Sequence, residues 1–418
     1  MKKPALAATP PRPAATGPLR LSWPVSPPVA ALVRHELLGG GLLDYGCGEG
    51  RDVAALRAAN VEAHGWDPVT APQGPRKATD AVNLGYVLNA VEDPVERRRT
   101  LAAAWDLTKK VLAVAVPLAG HSAYARFHSD PDAAAGFEKQ FAQQEIDHLV
   151  GGVTGRQPVV VAPGVVLVFR RDDDEQAFLR KRSGCGGPLG KDDLLVYLAL
   201  QVFERRRSFA SAPTALAQEI AQWFGGESAA LDAARVLLFS AGNADVVAAA
   251  CDAVALARLG HLEHSDGLYF TARRLAQVPA VLRVFVGCGE QLYGDASACQ
   301  VIKIHDRSGK LTFHVYDEFW GQAVPKLVER AKVDLRRQRV DFFAYDGQPH
   351  DPQPLYFKSK WLAEGDPMLD DQRAFDTALA ALPGIDWSGF GPETVQMTAI
   401  LRSRGLRIDG FALVPATK

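Results

Sequence analysis

The chain has few cysteines, and none stands in a metal-binding spacing. Its five, Cys47, Cys185, Cys251, Cys288 and Cys299, are scattered over 418 residues without a CxxC pair. That excludes the common structural zinc and iron–sulfur frameworks, so no metal is expected. An odd count without a secretion signal fits a reducing compartment, and a cytoplasmic protein is expected. No apolar run approaches the roughly 20 residues of a membrane span, so no membrane partner is expected. Net charge is also nearly absent: 47 Lys and Arg meet 48 Asp and Glu, a formal charge of −1. No global field therefore announces a nucleic-acid polymer, although a local basic patch is compatible with neutrality. Met1, Lys2 and Lys3 resemble the charged front of a signal peptide. The following residues are broken by proline instead of forming an apolar core, so export is not expected.

What is present is enough apolar side chain, 47% of residues against 23% charged, for two or three domains with real cores. Residues 1–28, rich in Pro and Ala, read as a flexible lead-in. A short helix is expected over 30–38. From Leu42 short apolar strands alternate with amphipathic helices. Strands are expected over 42–45, 62–66, 78–84 and 110–116, and helices over 51–59 and 96–107. That alternation predicts a mostly parallel sheet with helices on both faces, over residues 29–171. Pro163-Gly164 separates Val159–Ala162 from Val165–Phe169, which predicts a hairpin at the far edge. The charge-rich and then glycine-rich stretch 172–190 reads as a linker. Residues 191–260 read as a helical domain. Residues 261–418 read as an α+β accessory domain, with a hairpin around Asp306-Arg307-Ser308-Gly309.

The segment Asp44-Tyr45-Gly46-Cys47-Gly48-Glu49-Gly50 joins the first strand to the first helix of the sheet. Glycine there lets the backbone approach a ligand and take positive φ, and the helix start presents unpaired amide hydrogens. Asp67, at the end of the second strand, can accept from both hydroxyls of a ribose. A dinucleotide such as NAD would use the same geometry, and a plain structural turn remains open. The acid at Asp44 favours a ligand with a cationic end, such as S-adenosylmethionine, because it would oppose a pyrophosphate.

These phrases resemble the class I S-adenosylmethionine methyltransferases. Residues 42–50 match their first motif, and Gly65-Trp66-Asp67-Pro68 stands at their ribose-binding acid. Residues 80–94 are similar to their fourth strand and the segment after it. A narrower family, the DNA phosphorothioation-associated methyltransferases, is similar from about residue 22 to 365. Further phrases at 192–200, 301–305 and 333–336 carry that likeness, while the stretch 171–191 is shorter than the family's helical insertion. The resemblance implies a Rossmann-like class I methyltransferase domain with S-adenosylmethionine as cofactor. It also implies DNA, or proteins of a DNA-modification system, as partners. The candidate cofactor residues are Asp44, Gly46, Cys47, Gly48, Gly50, Asp67 and Asp80.

Methyl transfer needs an aligned nucleophile and sometimes a base. The end of the strand near residue 84 faces the donor in this fold, which makes Asn83 and Tyr86 the candidate catalytic residues. Their NxxY spacing is similar to the tetrapeptide of exocyclic-amine DNA methyltransferases, without its prolines. Alternatively, Asn83 pins local backbone and Tyr86 packs on adenine or core. Asp93-Pro94 reads more simply as a helix cap than as a base. In the accessory domain Lys303 and His305 share one strand face, and Arg336 and Arg337 lie in a cationic cluster followed by aromatics. All four are candidate substrate-binding residues, a solvated strand face being the alternative. A methyltransferase-fold scaffold without turnover and a small-molecule methyltransferase stay open as alternative functions.

Overall fold

The computed structural model describes residues 25–121, 137–182, 190–206, 214–263, 266–345 and 353–416. Residues 1–24 of the expected lead-in and 183–189 of the expected linker lie outside them.

Regular structure starts earlier than expected. Pro27 and Pro28 begin α1, Pro27–Arg34, where a missing amide hydrogen costs nothing. Then come β1 Leu42–Tyr45, α2 Arg51–Ala58, β2 Ala63–Trp66, β3 Thr79–Gly85, α3 Pro94–Asp106 and β4 Thr108–Ala115. The strands pair in parallel in the order β2-β1-β3-β4. Their side chains alternate between two cores, which is why the strands read as continuous apolar runs. Leu42, Ala81, Val111 and Ala113 turn to one face. Leu43, Val82, Leu84, Leu112 and Val114 turn to the other. Asp93 does cap α3, accepting from the Val95 amide at 2.9 Å with Pro94 in the first turn. Beyond the helix Gln143–Thr154, β5 Val159–Ala162 and β6 Val165–Phe169 form the expected hairpin. The reversed strand β6 lies between β4 and β5.

The linker reading is corrected over residues 172–182, which form the helix Asp172–Arg182. Four acids fill its first turn and three bases its last, the arrangement that complements the helix dipole. Phe178 and Leu179 bury its inner face. The run of charges therefore stabilises a helix and is not part of a linker. Arg156 ties the helix back to the sheet, reaching Glu175 at 3.1 Å.

Helices Lys191–Phe203, Thr214–Phe224, Glu227–Ser240 and Ala244–Leu256 precede a second sheet. Its antiparallel strands are β7 His261–Glu263, β8 Gly267–Thr271, β9 Val301–His305, β10 Lys310–Tyr316, β11 Lys326–Asp334 and β12 Arg339–Ala344. The short β13, Gln353–Pro354, adds to β11. Alternation sorts this sheet into two unlike faces. Phe270, Ile302, Ile304, Leu311, Phe313 and Val333 point inward. Their neighbours Lys303, Thr312, His314 and Lys332 point outward. The inward face joins a core that continues into the first sheet. The helix Ala280–Tyr293 lies between them, touching β5 on one side and β11 on the other. Just past its end, a Cβ on Gly294 would stand 2.5 Å from the Ala162 Cα, so the two halves meet there backbone to backbone. Among the described residues, no single helix is long and apolar enough to cross a membrane.

Candidate functional site

The strand order reverses at β1, because β2 lies on one side of it and β3 on the other. In such sheets the crevice beyond the carboxyl ends of the switch-point strands is where ligands bind. The glycine loop stands there. Gly46 and Cys47 donate to the Trp66 carbonyl at 2.7 and 3.1 Å, and Gly50, with φ of 75°, begins α2. Gly46 has φ of 89°, and an added Cβ would meet the Val87 Cγ2 at 2.3 Å. Around Gly48 and Gly50 an added Cβ would meet only open space. One end of the loop is therefore packed and the other is open to the crevice.

Asp67 ties the second strand to this loop. Its Oδ2 accepts from the Gly48 amide at 3.3 Å, and its Oδ1 accepts from Val69 and Thr70 at 2.8 and 2.9 Å. Burial works against its ionised form. The Thr70, Val69 and Gly48 amides outweigh that and hold Asp67 below the ordinary carboxylate value. Asp67 is thus an anion at neutral pH, with lone pairs left for further donors.

Asp44 is different. It is 4% exposed and accepts from the Asn83 amide at 2.8 Å. Burial, with the neighbouring charge of Asp52, pushes its pKa up to about 7; the Asn83 hydrogen bond pulls the other way, and Asp67 adds a smaller upward push. Asp52 itself is clamped by Ser26, whose amide donates to it at 2.9 Å. Asp44 thus lies buried near two further acids, with no basic partner among the described residues.

Three expected site residues stand elsewhere. Asp80 begins β3 at the opposite end of the sheet, where it pairs with Lys110 at 2.7 Å and fills the space beside Gly40. It is not a cofactor residue. Asn83 lies within β3, opposite Asp44 in the strand register, and is 2% exposed. Its reading as a catalytic group that holds an acceptor is corrected: it orients Asp44 from behind. The Cys47 side chain packs against Gly65 and Val53 instead of facing the crevice, and burial with the charges of Asp44 and Asp67 raises its thiol to about 11. Only its backbone serves the loop.

Tyr86 does sit at the carboxyl end of β3, half-buried, with φ of 59°. A left-handed tyrosine is a strained conformation that its surroundings must impose. Arg97 was not singled out from sequence. Its buried guanidinium donates to the carbonyls of Leu88, Val91 and Glu92, holding the segment that leaves the crevice. Nothing in its helical spacing distinguishes it from Arg98 and Arg99. In the accessory region Lys303 and His305 share the outer face of β9, as expected. Arg336 and Arg337 occupy the exposed β11–β12 turn, so the structure does not bring the four together in one cavity.

No family model matches the chain, and no curated protein does. Among solved structures it is similar to the 1,6-didemethyltoxoflavin-N1-methyltransferase of Burkholderia thailandensis, bound to 1,6-didemethyltoxoflavin and S-adenosylhomocysteine. The identity is 17% over 35% of this chain and 77% of that one, with a TM-score of 0.28. The magnesium protoporphyrin IX methyltransferase of Synechocystis PCC 6803 gives 17% identity over 34% and 80%, with a TM-score of 0.27. An S-adenosylmethionine-dependent methyltransferase from Archaeoglobus fulgidus gives 15% over 32% and 72%, with a TM-score of 0.25. At these TM-scores the likeness carries no argument about the site, which stands on its own residues.

Proposed function

We propose that the chain is an S-adenosylmethionine-dependent methyltransferase, with its donor across the carboxyl ends of β1 and β2. The observation that carries this reading is the Asp44 carboxylate. It is buried, is supported by a neutral amide and faces two further acids, a position that a cationic ligand relieves. A pyrophosphate would add negative charge to the same crevice, which weighs against a dinucleotide.

The residues fit such a donor. Asp44 would meet its cationic end, Asp67 would accept from the ribose hydroxyls, and the open loop at Gly48 and Gly50 leaves room for backbone contact. When bound, the donor supplies an electrophilic methyl group, so the chain's own task is alignment and exclusion of water. Asn83 holds the Asp44 carboxylate in place, and Tyr86, at the carboxyl end of β3 and packed in part on the core, is the residue we assign to orient an acceptor.

The family resemblance supports an acceptor within a DNA-modification system, either DNA or an associated protein. A scaffold without turnover is the second reading. One observation favours it: Asn83, the residue expected to hold an acceptor amine, is buried on Asp44.

Calorimetry with S-adenosylmethionine tests the donor site. Asp67→Ala is expected to weaken binding tenfold or more with its circular dichroism unchanged, and unaltered affinity overturns the assignment. Incubation with methyl-labelled donor and separate DNA, RNA, protein and metabolite fractions separates the two readings. Label in the DNA or protein fraction supports the enzyme, while donor binding without transfer to any fraction supports the scaffold.

A further inference from the structure

The outer face of the second sheet is polar, yet it is covered. Segments around Leu355–Trp361 and Trp387–Gly391 lie over it and enclose a cavity of about 610 Å³. Beneath them Lys303 is 8% exposed, Thr312 3% and His314 7%. Burying polar side chains is costly unless they find partners, and a purely structural layer would be apolar. Some partners exist. Lys303 and Tyr269 both bond to Asp266, and His305 pairs with the Thr312 hydroxyl at 3.1 Å. Arg330 and Lys332, side by side along β11, have no carboxylate partner among the described residues, and neither does Lys360 on the covering segment. Among the described residues the Arg330 Nε is buried without a hydrogen-bond acceptor.

Among the described residues the cavity's charges do not balance. Its lining holds Lys303, Arg330, Lys332 and Lys360 against Glu263 and Asp266. Both histidines are held neutral at pH 7. Burial, then Lys303 and Lys332, lowers His305 to about 4, while burial, then Arg330 and Lys303, lowers His314 to about 3. The walls are aromatic. Tyr269 and Trp361 stack at 4.8 Å and 9°, the Arg330 guanidinium lies 4.5 Å over Phe343, and Trp387 and Phe390 line the rim. A free anion would use the cations and leave the rings idle, whereas an apolar ligand would do the reverse. A planar base carrying a phosphate uses both, and the volume suits a ligand of that size.

We propose that this cavity is a second ligand site that takes a nucleotide, with its base against the aromatic wall and its phosphate on Arg330, Lys332 and Lys360. The nucleotide is free or is one unit of a single strand. The site does not rest on the donor assignment. All its residues lie from Glu263 onward, and it opens on the sheet face turned away from the core shared with the first sheet. It therefore shares no residue with the glycine loop. It is a recognition or effector site, and the methylated atom is not held there.

The test uses the full chain and fluorescence anisotropy or calorimetry, with four probes: adenosine 5′-monophosphate, adenosine, inorganic phosphate and a labelled 12-nucleotide single strand. The wild type is expected to bind the mononucleotide or the strand at least tenfold more tightly than adenosine or phosphate. Tighter binding of the strand identifies a nucleic acid, and tighter binding of the monophosphate a free nucleotide. Lys332→Gln with Lys360→Gln is expected to weaken that binding tenfold or more and to flatten its salt dependence. Phe390→Ala, at an exposed rim ring, is expected to weaken it about threefold to tenfold. Circular dichroism and melting temperature, measured on the same samples, should stay unchanged and report that the variants are folded. No binding of any probe by the wild type overturns the proposal. So does phosphate binding as tightly as the nucleotide, or variants that bind as the wild type does.

Discussion

Asp44→Asn should stabilise the ligand-free protein above pH 7 while sharply weakening donor binding. In the folded chain the Asp44 pKa is raised from 3.8 to about 7. Between those values the folded state keeps a proton that the unfolded state has released. Stability contributed by this position therefore falls as pH rises through the window, and the full penalty is present above about 7. Three units correspond to an upper bound of about 4 kcal/mol. Asparagine keeps a hydrogen-bond acceptor for Asn83 and carries no charge, so a rise in melting temperature of about 2–5 °C at pH 8 is expected, shrinking towards pH 4. Donor affinity should fall on the order of 100-fold, because a cation then enters the crevice without its buried counter-charge. In the wild type, affinity should rise with pH up to about 7, with proton release on binding at pH 6. Calorimetry in buffers of different ionisation enthalpy measures that release. Affinity flat from pH 5.5 to 8.5 would remove Asp44 from the donor site.

Gly46→Ala is the second large effect. Alanine at φ of 89° costs about 1–2 kcal/mol by itself. Its Cβ also meets the Val87 Cγ2 at 2.3 Å, and a β-branched side chain has little freedom to yield. Together these predict a loss of about 2–4 kcal/mol and a loop displaced from the crevice, so donor binding should be lost with it. Val87→Ala in the same chain relieves the contact but leaves the dihedral, and about half the lost stability should return. Denaturation of the two single variants and the double variant measures the coupling. Strict additivity would mean that Val87 is not what confines Gly46.

The parts of the fold that were legible from sequence are those that local pattern determines. Apolar runs broken by glycine and proline announced the strands, and Pro163-Gly164 announced the β5–β6 hairpin. Asp44 and Asp67 could be placed because they flank a loop whose position along the strand is unambiguous. Asp80 and Asn83 could not, since an apolar run does not say where the strand meets the crevice. Asp80 precedes the end of β3 by five residues, about 17 Å at strand rise, and so belongs to the other edge of the sheet. Asn83 is nearer, but its register with Asp44 turns it into the sheet interior. The helix Asp172–Arg182 was hidden by its own charges, which read as solvation until their order along the helix is considered. The cavity was the least accessible feature. Lys303, Thr312, His314 and Lys332 alternate as any solvated face would, and only the segment from Leu355 onward, remote in sequence, reveals that they are covered.

The helix Ala280–Tyr293 packs on both sheets at once. Thermodynamically, this gives the two halves a common unfolding equilibrium: neither sheet can shed its inner face without exposing the other's. A ligand that binds only the folded state at either site then lowers the opening probability of both. Occupancy of the crevice would be felt as slower amide exchange on β9 and β10, strands that the donor never touches.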